Sequence, residues 1–182
     1  MEEVRQIVNA RIEEKGKTRN AFNLATALFI GASSILFLTL FIVWAIRSFP
    51  DFEIPVSFYL NTIVILMSSI LLYSGQEKIK DDDTNKGAMM IYFSGLLGIV
   101  FAGVQVLGWR EIMKTQSVSQ NIIIPFTAVH FLHIAIGVTL LYTVFKKVKS
   151  LNIHSKDMSF LTNVSRFWHF LGLIWILFIL VS

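Results

Sequence analysis

The chain has 182 residues, 54% of them hydrophobic and 15% charged, with no cysteine and a net charge of +4. A soluble domain carries about 25% charged residues, and here the apolar residues gather in runs of about twenty, the length that crosses a bilayer. The missing cysteines exclude disulfides, thiolate metal sites and iron–sulfur clusters built by this chain alone, and basic residues at the ends of apolar runs argue against nucleic acid as a partner.

Residues 1–20 are polar, with Val4, Ile7, Val8 and Ile12 at roughly helical spacing. Two readings stay open for them: an amphipathic helix lying on the membrane surface, or a solvated lead-in. The next apolar run is too long for a signal-peptide core, so no signal peptide is expected. The first span runs over about 24–46 and carries no charge; Arg47, Pro50, Asp51, Glu53 and Pro55 follow as a connecting loop.

The second span covers about 54–74. Asn61 and Ser68 are seven residues apart, as are Thr62 and Ser69, so each pair shares a helix face. Small polar groups on one face suit close helix packing with interhelical hydrogen bonds. Residues 76–86 read as a charged loop holding Asp81, Asp82 and Asp83. A solvated turn and a metal or proton role are both open for that run.

The third span covers about 88–109. Ser94, Gly98 and Ala102 recur every four residues, with Gly95, Ile99 and Gly103 beside them, a small-residue pattern that lets backbones approach. Gln105 and Trp109 lie near its end, Trp109 as an interface anchor. The fourth span, about 122–145, holds His130 and His133, with Gly137 one turn on. A basic loop with Lys146, Lys147, Lys149, His154 and Lys156 leads to the fifth span, about 160–182, which opens with Arg166, Phe167, Trp168 and His169.

The reading is an all-α integral membrane protein: residues 1–20 a cytoplasmic segment, 21–182 a bundle of five transmembrane helices. Thirteen of the sixteen basic residues fall on the N-terminal side of the membrane. The loops are short, so the positive-inside rule puts the N-terminus in the cytoplasm and the C-terminus in the periplasm.

No Asp or Glu lies inside a span, which makes the chain a poor carrier of a transmembrane proton path. Paired histidines raise b-type haem. At about 1.5 Å per residue in a core about 30 Å thick, His169 lies on the order of 9 Å from the depth of His133, and His130 is further away. Two axial ligands must meet at one depth. His130 and His133 project from one side of one helix and cannot flank one iron. The favoured reading is that His130, His133 and His169 donate hydrogen bonds to neighbouring helices or a partner chain, and that this chain binds no haem or metal itself. No nucleophile with an adjacent base and no phosphate loop is present, so no catalytic residue is expected.

Four blocks carry a resemblance to a known family. Asn61-Thr62 with Ser68-Ser69, Leu97-Gly98 through Phe101 and Gln105 to Trp109, Thr127 with His130, His133 and Gly137, and Phe167-Trp168-His169-Phe170 through Trp175 resemble, in order, four helices of the cytochrome c oxidase subunit III family. The match covers about 54–182, and its last two blocks are the most specific. Ala128 stands where the family has Gly, Gly172 where it has Asp, and Gly108 where it often has Glu. Five spans resemble the short bacterial type, without the two extra helices that enclose a lipid-filled cleft in seven-helix members.

The resemblance implies a non-catalytic subunit of a haem–copper terminal oxidase in the bacterial inner membrane. Haem and copper then sit in the catalytic subunit I, subunit II is a second partner, and this chain supports subunit I and proton uptake. Bound phospholipid and a place in a larger respiratory supercomplex are consistent with it. Asn61, Ser68, Ser69, Gly98, Gln105, His130, His133, Gly137, Trp168 and His169 are then helix-packing residues, and Asp81, Asp82 and Asp83 a proton-collecting antenna. The alternatives are a subunit III-like protein of a nitric oxide reductase and, from another class, a b-haem membrane anchor.

Overall fold

The computed structural model describes residues 1–46, 55–115, 123–150, 153 and 158–181. The expected loop at Arg47, Pro50, Asp51 and Glu53 lies outside the described residues, as do His154 and Lys156. Five helices follow one another: α1 (Glu2–Ile46), α2 (Val56–Lys80), α3 (Thr84–Thr115), α4 (Ile123–Lys149) and α5 (Ser159–Val181). Each is long and apolar enough to cross a membrane. The protein is therefore a multi-pass bundle of membrane-spanning helices.

The helices outrun the apolar runs at the charged end. Residues 76–80 continue α2, and α3 begins at Thr84, so the expected loop over 76–86 shrinks to a turn at 81–83. Gln, Glu and Lys are good helix formers, and outside hydrocarbon nothing stops them extending the helix. Residues 2–20 likewise run on into the first span without a break.

The buried positions explain the packing. On α2 they are Phe58, Asn61, Ile65, Ser68, Leu72, Gly75 and Ile79, in alternating steps of three and four. On α3, Ile91, Ser94, Gly98, Phe101, Gln105, Gly108 and Ile112 repeat that spacing. So do Ile123, Thr127, His130, Ile134, Gly137, Leu141, Val144 and Val148 on α4. A repeat of 3.5 residues is the seam of helices packed at a shallow left-handed angle. The third span's face is thus Ser94–Gly98–Phe101–Gln105. Ile99 and Gly103 face outward and Ala102 is only half-buried, because a strict four-residue step drifts off the seam.

α2 and α3 form an antiparallel hairpin, α4 packs on α3, and α5 packs on α1, α2 and α4. α5 is the most enclosed helix, with Trp168, Leu171 and Trp175 fully buried. α1 is the least, burying only Ser33 and Phe37.

Candidate functional site: a buried polar seam around Trp168

α5 presents Trp168 to a slot made by three other helices. A Cβ at Gly98 of α3 would sit 2.6 Å from Trp168 Cη2, and one at Gly137 of α4 would sit 2.8 Å from its Cε3 and Cζ3. Neither position admits a side chain while the indole is there. Gly137 leaves room on α4, and Trp168 fills that room. The indole Nε1–H donates to Ser68 Oγ of α2 at 3.1 Å. Ser68 donates to the Ser94 carbonyl of α3 at 2.9 Å, and its oxygen lies 2.9 Å from Ser94 Oγ. One hydroxyl thus ties three helices with its donor and acceptors all used.

Two more indoles follow the same rule. Trp175 Nε1 donates to Thr62 Oγ1 at 3.2 Å, joining α5 to α2, and Trp109 Nε1 donates to Thr127 Oγ1 at 2.8 Å, joining α3 to α4. Each threonine returns its proton to its own helix, to the carbonyls of Phe58 and Ile123. Trp109, expected as an interface anchor, is a half-buried interhelical tie. Asn61 Nδ2 donates to Gln105 Oε1 at 3.3 Å, both side chains fully buried. The atoms left over, Asn61 Oδ1 and Gln105 Nε2, are one acceptor and one donor of the same pair. Ser69 is half-buried, its Oγ 3.5 Å from where a Cβ on Gly172 of α5 would stand. Small residues at both positions let α2 and α5 come close.

The three span histidines do three different things. His133 Nδ1 lies 2.8 Å from the Val129 carbonyl, which only accepts, so that nitrogen carries the proton. Nε2 is then the acceptor for the Ser33 hydroxyl of α1 at 3.0 Å. His133 thus bonds α4 to α1. His130 does not: it is fully buried with both ring nitrogens unpartnered among the described residues. Rings surround it instead, Trp175 at 5.4 Å, Phe101 at 5.8 Å and Phe37 at 6.0 Å between centroids. Its place on the seam, one step before Ile134, points it at the aromatic centre. His169 is half-buried and likewise has no hydrogen-bond partner among the described residues. No cluster of three or more His, Asp or Glu able to hold a metal occurs among those residues.

The three aspartates are built into the α2–α3 turn. Asp82 has φ 61°, the left-handed region. Its N–H donates to the Ile79 carbonyl, and that of Asp83 donates to the Lys78 carbonyl, which ends α2 in a Schellman motif. Asp83 Oδ1 then accepts the Lys86 backbone N–H at 3.2 Å and caps α3. Lys86 Nζ is 2.9 Å from Asp83 and Lys78 Nζ 3.7 Å from Asp81. The Lys86 side-chain and backbone hydrogen bonds hold the Asp83 carboxyl below its ordinary value, and the same pair raises Lys86.

Ser33, Thr62 and Thr127 are contributors that sequence reasoning did not single out for these roles, and Asn23 was not noticed at all. Asn163 Nδ2 donates to Asn23 Oδ1 at 2.5 Å, a second tie of α1, this one to α5. A hydroxyl or amide seven residues from another is the available signal on α2, and the same spacing stands on α1 between Thr26 and Ser33.

The family model described as cytochrome c oxidase subunit III matches residues 41–182. The chain belongs to the cytochrome c oxidase subunit III family. It is 26% identical over 168 residues to cytochrome c oxidase subunit 3 of Synechocystis, covering 85% of this chain and 72% of that protein. The Bacillus PS3 protein of that name is 24% identical over 184 residues, covering 92% and 85%. The Drosophila melanogaster one is 28% identical over 135 residues, and this chain spans only half its length. The subunit III match takes in the Trp168 slot, the amide pair and all three indole ties. It starts at residue 41, inside α1, so Ser33 and Asn23 lie before it.

Proposed function

We propose that this chain is the non-catalytic subunit III of a haem–copper terminal oxidase, set in a bacterial cytoplasmic membrane with its N-terminus inside. The observation that carries this is the subunit III match over 41–182, which takes in the Trp168 slot, the amide pair and the three indole ties. That seam is made of packing and hydrogen bonds, and its histidines serve as a tie (His133) and as core (His130). Such a chain works as a rigid body held against subunits I and II, with haem and copper in the catalytic subunit. Its effect on oxygen reduction and on proton pumping is then indirect, through the stability of that subunit. Membrane phospholipids and a larger respiratory assembly complete the set of partners in this reading.

The test is to tag the chain, extract it in mild detergent and identify what accompanies it by mass spectrometry. A multi-span chain carrying the histidine set of a haem–copper oxidase is the expected partner. A nitric oxide reductase catalytic chain in its place, or this chain alone and coloured by haem, overturns the assignment.

Asp81, Asp82 and Asp83 are assigned a proton-collecting role at the cytoplasmic face. Asn fits both special positions: it tolerates the left-handed backbone at 82 and it caps a helix at 83. Replacing all three by Asn therefore removes charge and keeps the turn. Proton uptake by the complex should slow; unchanged turnover and pumping removes the idea.

A further inference from the structure

Three fully buried polar side chains share one layer of the bundle: Asn61 of α2, Gln105 of α3 and His130 of α4. Asn61 and Gln105 are joined by their own hydrogen bond. Contacts along α3 and α4 place His130 beside that pair. Gly95 stands against Leu141, Gly98 against Val138, and Trp109 Nε1 reaches Thr127, so the two helices keep one antiparallel register. That register sets Gln105 at the depth of His130 and Phe131. Gln105 and His130 both lie on the inward seam, and Phe101, one turn from Gln105, is 5.8 Å from the His130 ring between centroids. Trp175 closes the layer. Its ring lies 5.4 Å from His130, and its Nε1 donates to Thr62, the residue after Asn61.

Four polar atoms of this layer have no hydrogen-bond partner among the described residues: Asn61 Oδ1, Gln105 Nε2 and both ring nitrogens of His130. Each of the three residues stands at least seven positions along the chain from any segment outside the described ones. The chemistry of the four atoms selects what can satisfy them. Asn61 Oδ1 accepts and Gln105 Nε2 donates, while a neutral imidazole adds one bare nitrogen that accepts and one N–H that donates. A cation would face two donors and an anion two acceptors. A neutral group that both donates and accepts fits all of them. Phe37, Phe101 and Trp175 crowd round His130, so that group must be small. Buried waters typically make about three hydrogen bonds to polar groups that are otherwise unsatisfied.

We propose that one water molecule is bound between Asn61, Gln105 and His130. It accepts from Gln105 Nε2–H and donates to Asn61 Oδ1 and to the bare nitrogen of His130. The His130 N–H then meets an aromatic face, since Phe37 and Phe101 stand at 65° and 63° to the imidazole. Ser68 ties α2 to α3 and α5; seven residues away on α2, this water ties α2 to α3 and α4. The inference uses the helix packing alone and goes beyond the subunit III assignment.

Hydroxyl-radical footprinting with X-rays tests this on the chain together with the subunits that co-purify. The beam splits a water held in the core, and the radical oxidises the side chains beside it. Phe101 and Trp175 should be oxidised, while Trp168, equally buried, should not. His130→Phe removes the acceptor and should lose the oxidation of Phe101 and Trp175; His130→Gln restores an acceptor and should keep it. Should either variant fail to fold, the parent decides alone: a cryo-electron microscopy map of the same complex should show a density peak within hydrogen-bond distance of Asn61, Gln105 and His130. Protection of Phe101 and Trp175 in the parent, unchanged oxidation in a folded His130→Phe, or a direct Gln105–His130 hydrogen bond with no peak between them each overturns the proposal.

Discussion

Trp168 is the residue on which most of the seam converges, and its neighbours make its role measurable. Removing its side chain by Trp168→Ala opens a cavity and takes away the indole's bond to Ser68, and should cost about 3–5 kcal/mol. Gly98→Ala places a methyl 2.6 Å from the indole and should cost about 1–3 kcal/mol by overpacking. The two effects are coupled. The clashing atoms, Trp168 Cη2 and Cζ2, belong to the outer ring that phenylalanine lacks, so Gly98→Ala should cost less in a Trp168→Phe background. A double-mutant cycle on thermal unfolding of the purified protein checks this; additive costs would mean that the glycine answers to Val138 alone. Ser33→Ala is the milder case. It leaves His133 Nε2 unpaired between α1 and α4, and hydrogen bonds of this kind in membranes are worth about 0.6 kcal/mol on average. Such a change should loosen α1 without unfolding the bundle, read as faster amide exchange in α1 alone.

At the scale of elements, the α2–α3 turn makes a clean test because each aspartate has a separate job. Asp82 sits at φ 61°, where a β-carbon is unfavourable, so Asp82→Gly should stabilise the hairpin by about 1 kcal/mol. Asp83→Asn keeps the helix cap and loses the ion pair with Lys86. Because that pair holds the native carboxyl below its ordinary value of 3.8, its contribution is present above that value and vanishes as pH falls through the lower native one. The parent should therefore be more stable than Asp83→Asn at neutral pH, with the gap closing in acid; melting curves of both from pH 7 downward decide it. All five elements were legible from sequence because apolar runs of this length admit few alternatives. The seam was half legible: Asn61 and Ser68 gave the seven-residue period on α2, whereas Ser94, Gly98 and Ala102 suggested a four-residue step that the packing does not follow. Hydrophobicity cannot separate a lipid-facing from a core-facing side chain, since both environments are apolar. That is why the partners of Trp168, His133 and Thr62 had to come from three dimensions, and why a hydrogen-bonded His130 was expected where a ring among rings is found.

The whole molecule is charged at one end. Aromatic contacts fix the alternation of the helices: Phe22 meets Phe160, Phe37 meets Phe126, and Trp44 meets Phe178. This brings residues 1–20, the turn at 81–83 and the lysines of α4 to the same end, with Arg110 and Lys114 at the other. Acidic residues at the charged end do little to offset this, because retention follows Lys and Arg and not net charge. The charged end should therefore be cytoplasmic. The chain has no cysteine, so a single introduced thiol reports without background. Glu13 and Lys114 are both exposed and lie at opposite ends. Lys114→Cys should react with a membrane-impermeant maleimide in spheroplasts, and Glu13→Cys only after lysis. The reverse pattern would invert the bundle.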